Sequence, residues 1–290
     1  MDSLHTTELL LSSAATGLLF ALTGTGGSSI LTPIMTLLLG VSPSIAIPSD
    51  IVGSITMRAT TSLLNIRLGR VPRKILVPLV TGQILGLCLS ATFLRYARLS
   101  NNELNLTLGV TLSLIGSALA LKEFVNSKSE RDHPLAITSL LLLAGGAISA
   151  VTVAFTSVGG GVITYLAVAI AFPRLDSKSL IAIDATAGLV LSVLASIETI
   201  ATGRGDATYM SLIGVGGLIG CLGGERIKER ISSHLLKEMI ALTIGTIGVV
   251  YLIKSDALAL ASIVSVGFVA VLLIRRGNPL IRTFDDHGER

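Results

Sequence analysis

Gly24-Thr25-Gly26-Gly27-Ser28-Ser29 stands between two apolar runs, 8–23 and 29–40. The second run is only 12 residues long, and a membrane crossing takes about 20. It therefore reads as a short helix that cannot span, entered through a glycine turn. The pattern recurs: Ser157-Val158-Gly159-Gly160-Gly161 separates 135–156 from another 12-residue run, 161–172. Two glycine-interrupted helix starts set the architecture.

The other apolar runs lie at 44–66, 75–94, 104–121, 177–201, 208–224, 239–253 and 257–274. They are unbroken, unlike the alternating strands of about ten residues that build a barrel. The pattern predicts an all-α, polytopic transmembrane helix bundle. Composition agrees: of 290 residues, 51% are hydrophobic and 14% charged, with a mean hydropathy of +0.80. Soluble domains carry about 25% charge, so this chain lacks the polar surface of a soluble enzyme, and it is too apolar for disorder. The net charge of +4 resides mostly in short loops, where it orients the chain; nucleic acid is not an expected partner. No Lys or Arg precedes the first apolar run, whereas a cleaved signal needs a basic start, so that run reads as a retained membrane segment.

The two broken units belong to a longer repeat. Gly26-Gly27 and Gly159-Gly160 are 133 residues apart, as are Cys88 and Cys221. Ala46-Ile47 and Ala182-Ile183 are 136 apart, as are Gly69 and Gly205, and Lys122 and Lys254 are 132 apart. Five correspondences in one order point to a duplication. The first repeat covers 1–126, a broken unit plus three transmembrane helices. The second covers 135–254, and 255–290 adds a transmembrane helix and a tail. Arg67, Arg70, Arg73 and Lys74 place loop 67–74 in the cytoplasm, and Arg226, Lys228, Arg230 and Lys237 do the same for 225–237. Those loops are not counterparts; the counterpart of 67–74 holds only Arg204. Equivalent loops thus fall on opposite sides, the mark of an inverted repeat. The C-terminus is then expected in the cytoplasm.

The run Gly24 to Pro33, with Pro43, Ala46 through Ser54, Gly159 to Gly161 and Ala182 to Gly188, resembles the sulfite exporter TauE/SafE family of bacterial and archaeal permeases over nearly the whole chain. The resemblance implies that a small sulfur-containing anion (sulfite, sulfoacetate or a related organosulfonate) crosses the cytoplasmic, or inner, membrane, with export the favoured direction. The chain departs from the commoner family pattern in carrying Asp50 and Arg58 in its long helix. No enzymatic activity is expected: no nucleotide-binding lysine motif or hydrolase constellation occurs. His5, His133, His234 and His287 all lie in loops or tails, so no metal or cofactor is expected either. The expected partners are the anion and the bilayer. Two other readings stay open: a proton-coupled carrier of another small oxyanion or carboxylate, and a membrane scaffold that transports nothing.

A helix N-terminus exposes unpaired N–H groups and about half a positive charge, and glycine lets an anion approach them. Irregular backbone at membrane depth must line a cavity or be packed in protein. The breaks are therefore expected to meet near the midplane around a positive hollow. Thr25, Gly26, Gly27 and Ser28 would line it from one copy, and Ser157, Gly159, Gly160 and Gly161 from the other. Ser49, Ser54 and Thr186 add hydroxyls that donate without adding charge, although such hydroxyls also bond to their own helix. Arg58 lies too deep to reach water easily, at a cost of roughly 2.5–3.5 kcal/mol on insertion scales. Its fork of donors suits sulfonate oxygens. The structural alternative is a pair with Asp184 or Glu198. Asp50 and Asp184 read either as proton carriers or as charges that complement helix N-termini. Gln83 and Asn65 are expected to hydrogen-bond between helices. The glycines of Gly82-x-x-x-Gly86 and Gly216-x-x-x-Gly220-x-x-x-Gly224 are expected to pack helices closely, and Cys88 and Cys221 to be small buried packers.

Overall fold

The computed structural model describes residues 3–23, 27–96, 99–126, 134–172, 175, 177–227 and 253. Among them every regular element is helical: α1 (Ser3–Thr23), α2 (Gly27–Pro33), a π-helical turn (Ile34–Leu38), α3 (Pro43–Gly53), α4 (Ile55–Arg67), α5 (Arg73–Tyr96), α6 (Asn101–Asn126), α7 (Leu135–Thr156), α8 (Gly160–Ala171), α9 (Ser177–Ala201) and α10 (Ala207–Ile227). Four described helices are long and apolar enough to cross a membrane, over Arg73–Leu94, Ala136–Thr156, Ser179–Ala201 and Ala207–Ile227. The expected runs 257–274 and 239–253, save residue 253, lie outside the described residues. Large apolar side chains such as Leu89, Leu140, Ile200 and Ile219 are exposed on the helices' outer faces, which is the surface a lipid-embedded bundle requires.

Both short helices begin where glycine predicts. The second break is fully described. Ser157 holds φ 57, a left-handed conformation unusual outside glycine, and Gly159 follows with φ 88. Three backbone N–H groups of this segment bond within the protein. Ser157 N–H donates to the Val153 carbonyl, Val158 N–H to Thr156 Oγ1, and Ile163 N–H to the Gly159 carbonyl. The run 44–66, expected as one helix, is divided at Ser54 into α3 and α4. The ladder continues through the joint, because Ser54 N–H bonds to Asp50 and the Ser54 carbonyl accepts from Arg58 N–H. Gly53 lies against Ile213 of α10, where a Cβ would come within 2.5 Å. Thr56 Oγ1 donates to the Gly53 carbonyl at 3.1 Å, a competing bond of the kind that bends helices.

Glycine sets the tightest packing. On α10, a Cβ at Gly216, Gly220 or Gly224 would come 2.6, 1.8 or 2.7 Å from the carbonyl oxygens of Leu10, Ala14 or Leu18 on α1. On α5, a Cβ at Gly82 or Gly86 would come 2.0 or 2.4 Å from the carbonyls of Leu143 or Ala147 on α7. The α1–α10 and α5–α7 contacts are the most extensive between described helices, and α4 lies on α9 between them. Each of the two tight pairs joins a helix of residues 1–126 to one of 135–254.

Three polar and sulfur expectations change. Cys221 is buried beside Thr61, but Cys88 is exposed, because the α7-facing stripe of α5 is the glycine stripe. Asn65 Nδ2 donates to the Thr61 carbonyl of its own helix at 2.8 Å, not to another helix. Gln83 is fully buried, and neither atom of its amide has a hydrogen-bond partner among the described residues.

Candidate functional site

The α3–α4 joint carries two buried charges. Asp50 is one turn before it on α3 and is fully buried. Its Oδ2 accepts from Thr32 Oγ1 of α2 at 2.7 Å and from Ser157 Oγ of the second break at 2.9 Å. Thr32 Oγ1 and Ser157 Oγ are themselves 2.5 Å apart. Asp50 Oδ1 is buried with no hydrogen-bond partner among the described residues. One carboxylate thus ties the short helix of the first broken unit to the break of the second.

Arg58 is one turn beyond the joint on α4 and is 5% exposed. Its guanidinium carbon lies 5.6 Å from the centroid of the Phe20 ring on α1, within cation–π range. On its other side is α9, where Gly188 gives it room: a Cβ there would come 2.1 Å from Arg58 Nη1. Asp184, on the same helix, acts on the guanidinium more strongly than Asp50 does. Asp184 is thus the stronger electrostatic neighbour of Arg58, while Glu198 lies near the end of α9 and lines a different space.

Asp184 also meets the second break directly. A Cβ at Gly161 would be 2.9 Å from its Oδ2, so the carboxylate rests on the first turn of α8. An anion there complements the exposed N–H groups and the helix dipole. The protein supplies this anion itself, so the second break meets a guanidinium and two carboxyl groups in place of the simply positive surroundings expected.

The remaining expected residues separate into two groups. Gly159 and Gly160 start α8 beside Ser157, and Ser149 Oγ donates to the Gly160 carbonyl at 3.1 Å. Gly27 and Ser28 open α2, whereas Thr25 and Gly26 lie outside the described residues. The other hydroxyls make protein contacts. Ser54 Oγ donates to the Ile51 carbonyl, and Thr186 Oγ1 donates to Ala182 while accepting from Ser62 Oγ of α4. Ser49 Oγ accepts from Asp206 N–H at 3.0 Å, tying α3 to the turn before α10. Asp206 Oδ1 in turn accepts from Thr208 N–H and Tyr209 N–H, the first of which chiefly holds its carboxyl below the usual carboxylate range. Residue patterns did not single out Thr32, Phe20 or Gly188. Thr32 and Gly188 lie within the stretches that carry the family resemblance, which is the signal that marked them.

A cavity of about 280 Å³ opens beside α3. Ile47, Ile51, Leu104 and Phe155 form part of its apolar wall, with Glu198 and Arg204 among its polar lining residues. It adjoins the helix that carries Asp50.

The profile of the family described as "Sulfite exporter TauE/SafE" matches residues 9–251, a span that includes both breaks and Asp50, Arg58 and Asp184. The chain belongs to that family. It is similar to the "Probable membrane transporter protein YjnA" of Bacillus subtilis (strain 168), with 24% identity over 242 residues, covering 81% of this chain and 94% of the relative. No solved structure matches it. Membership in a transporter family, together with the apolar helices, makes this a multi-pass membrane transporter embedded in lipid, and not an enzyme.

Proposed function

We propose that this TauE/SafE protein is an inner-membrane permease that moves a small sulfur-containing oxyanion, such as sulfite, sulfoacetate or a related organosulfonate, by alternating access. Arg58 is the group that recognises the substrate. The observation that carries the proposal is a guanidinium buried at the α3–α4 joint, with Gly188 leaving space on its α9 side. A buried Arg in a membrane protein faces the bundle interior or a wet cavity and marks a substrate path. Its planar fork matches sulfonate or sulfite oxygens better than a point charge would.

The two halves, 1–126 and 135–254, act as inverted copies that rock against each other, followed by the segment 255–290. The matching α1–α10 and α5–α7 contacts, each crossing from one half to the other, support this. Export is the direction the family favours, and the loop charges support a cytoplasmic C-terminus. Gly159, Gly160 and Ser157 border the substrate from the second break, with Thr25 to Ser28 as their counterparts. Asp50 and Asp184 flank Arg58, which favours proton coupling over a simple anion pore.

The decisive experiment is radiolabelled ethanesulfonate and sulfite flux in proteoliposomes. Wild type should carry at least one of them, and Arg58→Ala should abolish the flux, with Arg58→Lys recovering little of it. Flux of a carboxylate alone would reassign the substrate. Absence of flux for every small anion, with Arg58→Ala binding as wild type does, would favour a scaffold.

A further inference from the structure

We infer that Asp50, Thr32 and Ser157 form a proton-binding ring that bridges the two broken units, and that Asp50, not Asp184, carries the proton moved with the substrate; this rests on the permease reading above. The argument is a count of protons. Asp50 Oδ2, Thr32 Oγ1 and Ser157 Oγ lie mutually within hydrogen-bond distance, at 2.7, 2.9 and 2.5 Å. Three oxygens in mutual contact make three edges, and each edge needs one proton.

Each hydroxyl owns one donor proton, and an ionised carboxylate owns none. With Asp50 ionised, two protons serve three edges. If both hydroxyls donate to Asp50, the Thr32–Ser157 edge sets lone pairs against each other at the shortest of the three distances. A carboxylic acid supplies the missing proton. Oδ2–H then donates to one hydroxyl, that hydroxyl to the other, and the second back to Oδ2, as in a cyclic trimer of water. The free oxygen agrees. Asp50 Oδ1 is buried with no hydrogen-bond partner among the described residues, which is costly for half of an anion and far less so for the carbonyl of an acid.

The surroundings divide the roles of the two acids. From α4, Arg58 is the charged group that acts on Asp50. From α9, Asp184 faces Arg58 and rests on the first turn of α8, where an ionised carboxylate is favoured. α2 contributes hydroxyls, and α7 and α8 contain no charged residue. On α6 Glu103 lies in the exposed first turn and Lys122 and Glu123 near the other end of the helix, and on α10 Glu225 and Arg226 lie in the last turn. Arg58 and Asp184 therefore balance, and Asp50 decides the net charge. A substrate anion and an ionised Asp50 would compete for one guanidinium, so the anion enters with Asp50 protonated. One proton travels with one monovalent anion, in the same direction. When the carboxyl O–H gives its proton to water, the ring loses an edge, and the contact between α2 and the second break is released.

Two measurements test this on the full-length protein in lipid. Infrared difference spectra across a pH titration should show a protonated-carboxyl C=O band that is lost in Asp50→Asn and kept in Asp184→Asn. Ser157→Ala keeps the acid but removes one edge, so it should shift that band's frequency; this variant carries the test if Asp50→Asn fails to fold. A band lost in Asp184→Asn, or one that Ser157→Ala leaves unmoved, overturns the assignment. In proteoliposomes, ethanesulfonate, which stays ionised, should carry one proton per anion in wild type and none in Asp50→Asn. Flux without proton movement in wild type refutes the coupling and leaves the permease reading intact. An Asp50 band with no flux of any anion refutes the permease reading and leaves the proton site standing.

Discussion

Gly188→Ala is the most informative single change. The added methyl would begin 2.1 Å from Arg58 Nη1 and 3.2 Å from its Cζ. Carbon and nitrogen atoms pack at roughly 3.5 Å. The guanidinium must therefore retreat by about 1.4 Å, and a displacement of even about 1 Å at a reacting or binding group costs on the order of 100-fold, or about 2.7 kcal/mol. The obstacle is the tip of a flexible side chain, not backbone, so the fold can accommodate the change. Ethanesulfonate flux should fall roughly 100-fold, most of it as weaker binding, while the unfolding temperature in detergent moves little. Wild-type flux from Gly188→Ala, with Arg58→Ala inactive, would refute the claim that the guanidinium's position matters. A collapse in stability would show that the α4–α9 contact, and not the site, had been tested.

Other consequences follow from the same geometry. Gly220→Ala places a Cβ 1.8 Å from the Ala14 carbonyl and should destabilise the α1–α10 pair by about 1–3 kcal/mol; Gly223→Ala, with nothing within 4 Å, should be neutral, and thermal unfolding separates them. Asp206→Ala removes a cap from α10 and should cost about 1 kcal/mol. Because the Asp206 carboxyl is held below its usual range by Thr208 N–H, its contribution is full at neutral pH and is lost as pH falls through the folded-state value, which amide exchange at the start of α10 will register. In detergent, N-ethylmaleimide should modify exposed Cys88 and spare Cys221, which mass spectrometry of peptides reads directly.

The charge at Glu103 shows how far local sequence reaches. Ser100 and Glu103 reciprocate across the first turn of α6, with Ser100 N–H and Oγ donating to Oε2 and Glu103 N–H donating back to Ser100 Oγ. That is a capping box, whose Ser-x-x-Glu spacing the hydropathy reading passed over. The helix bounds at 135–156 and 177–201 were legible, because long apolar runs leave helix as the only structure that satisfies its own backbone in lipid. The joint at Ser54 was only partly legible. Gly53-Ser54 and Thr56 are local kink signals, while Ile213, of a helix 160 residues away, packs on Gly53, which no local pattern announces.

What the sequence determined by itself was the membrane bundle, the two glycine breaks and the presence of buried charge, since each follows from hydropathy and backbone freedom within a few residues. Only the tertiary structure decided which charge meets which. It set Asp184 on the first turn of α8, Asp50 between Thr32 and Ser157, and Gly188 against Arg58. The reason is distance in the chain: Coulomb and hydrogen-bond partners are selected within a few ångströms of space, and Ser157 lies 107 residues from Asp50, while even Thr32 and Asp50, 18 apart, sit on different helices.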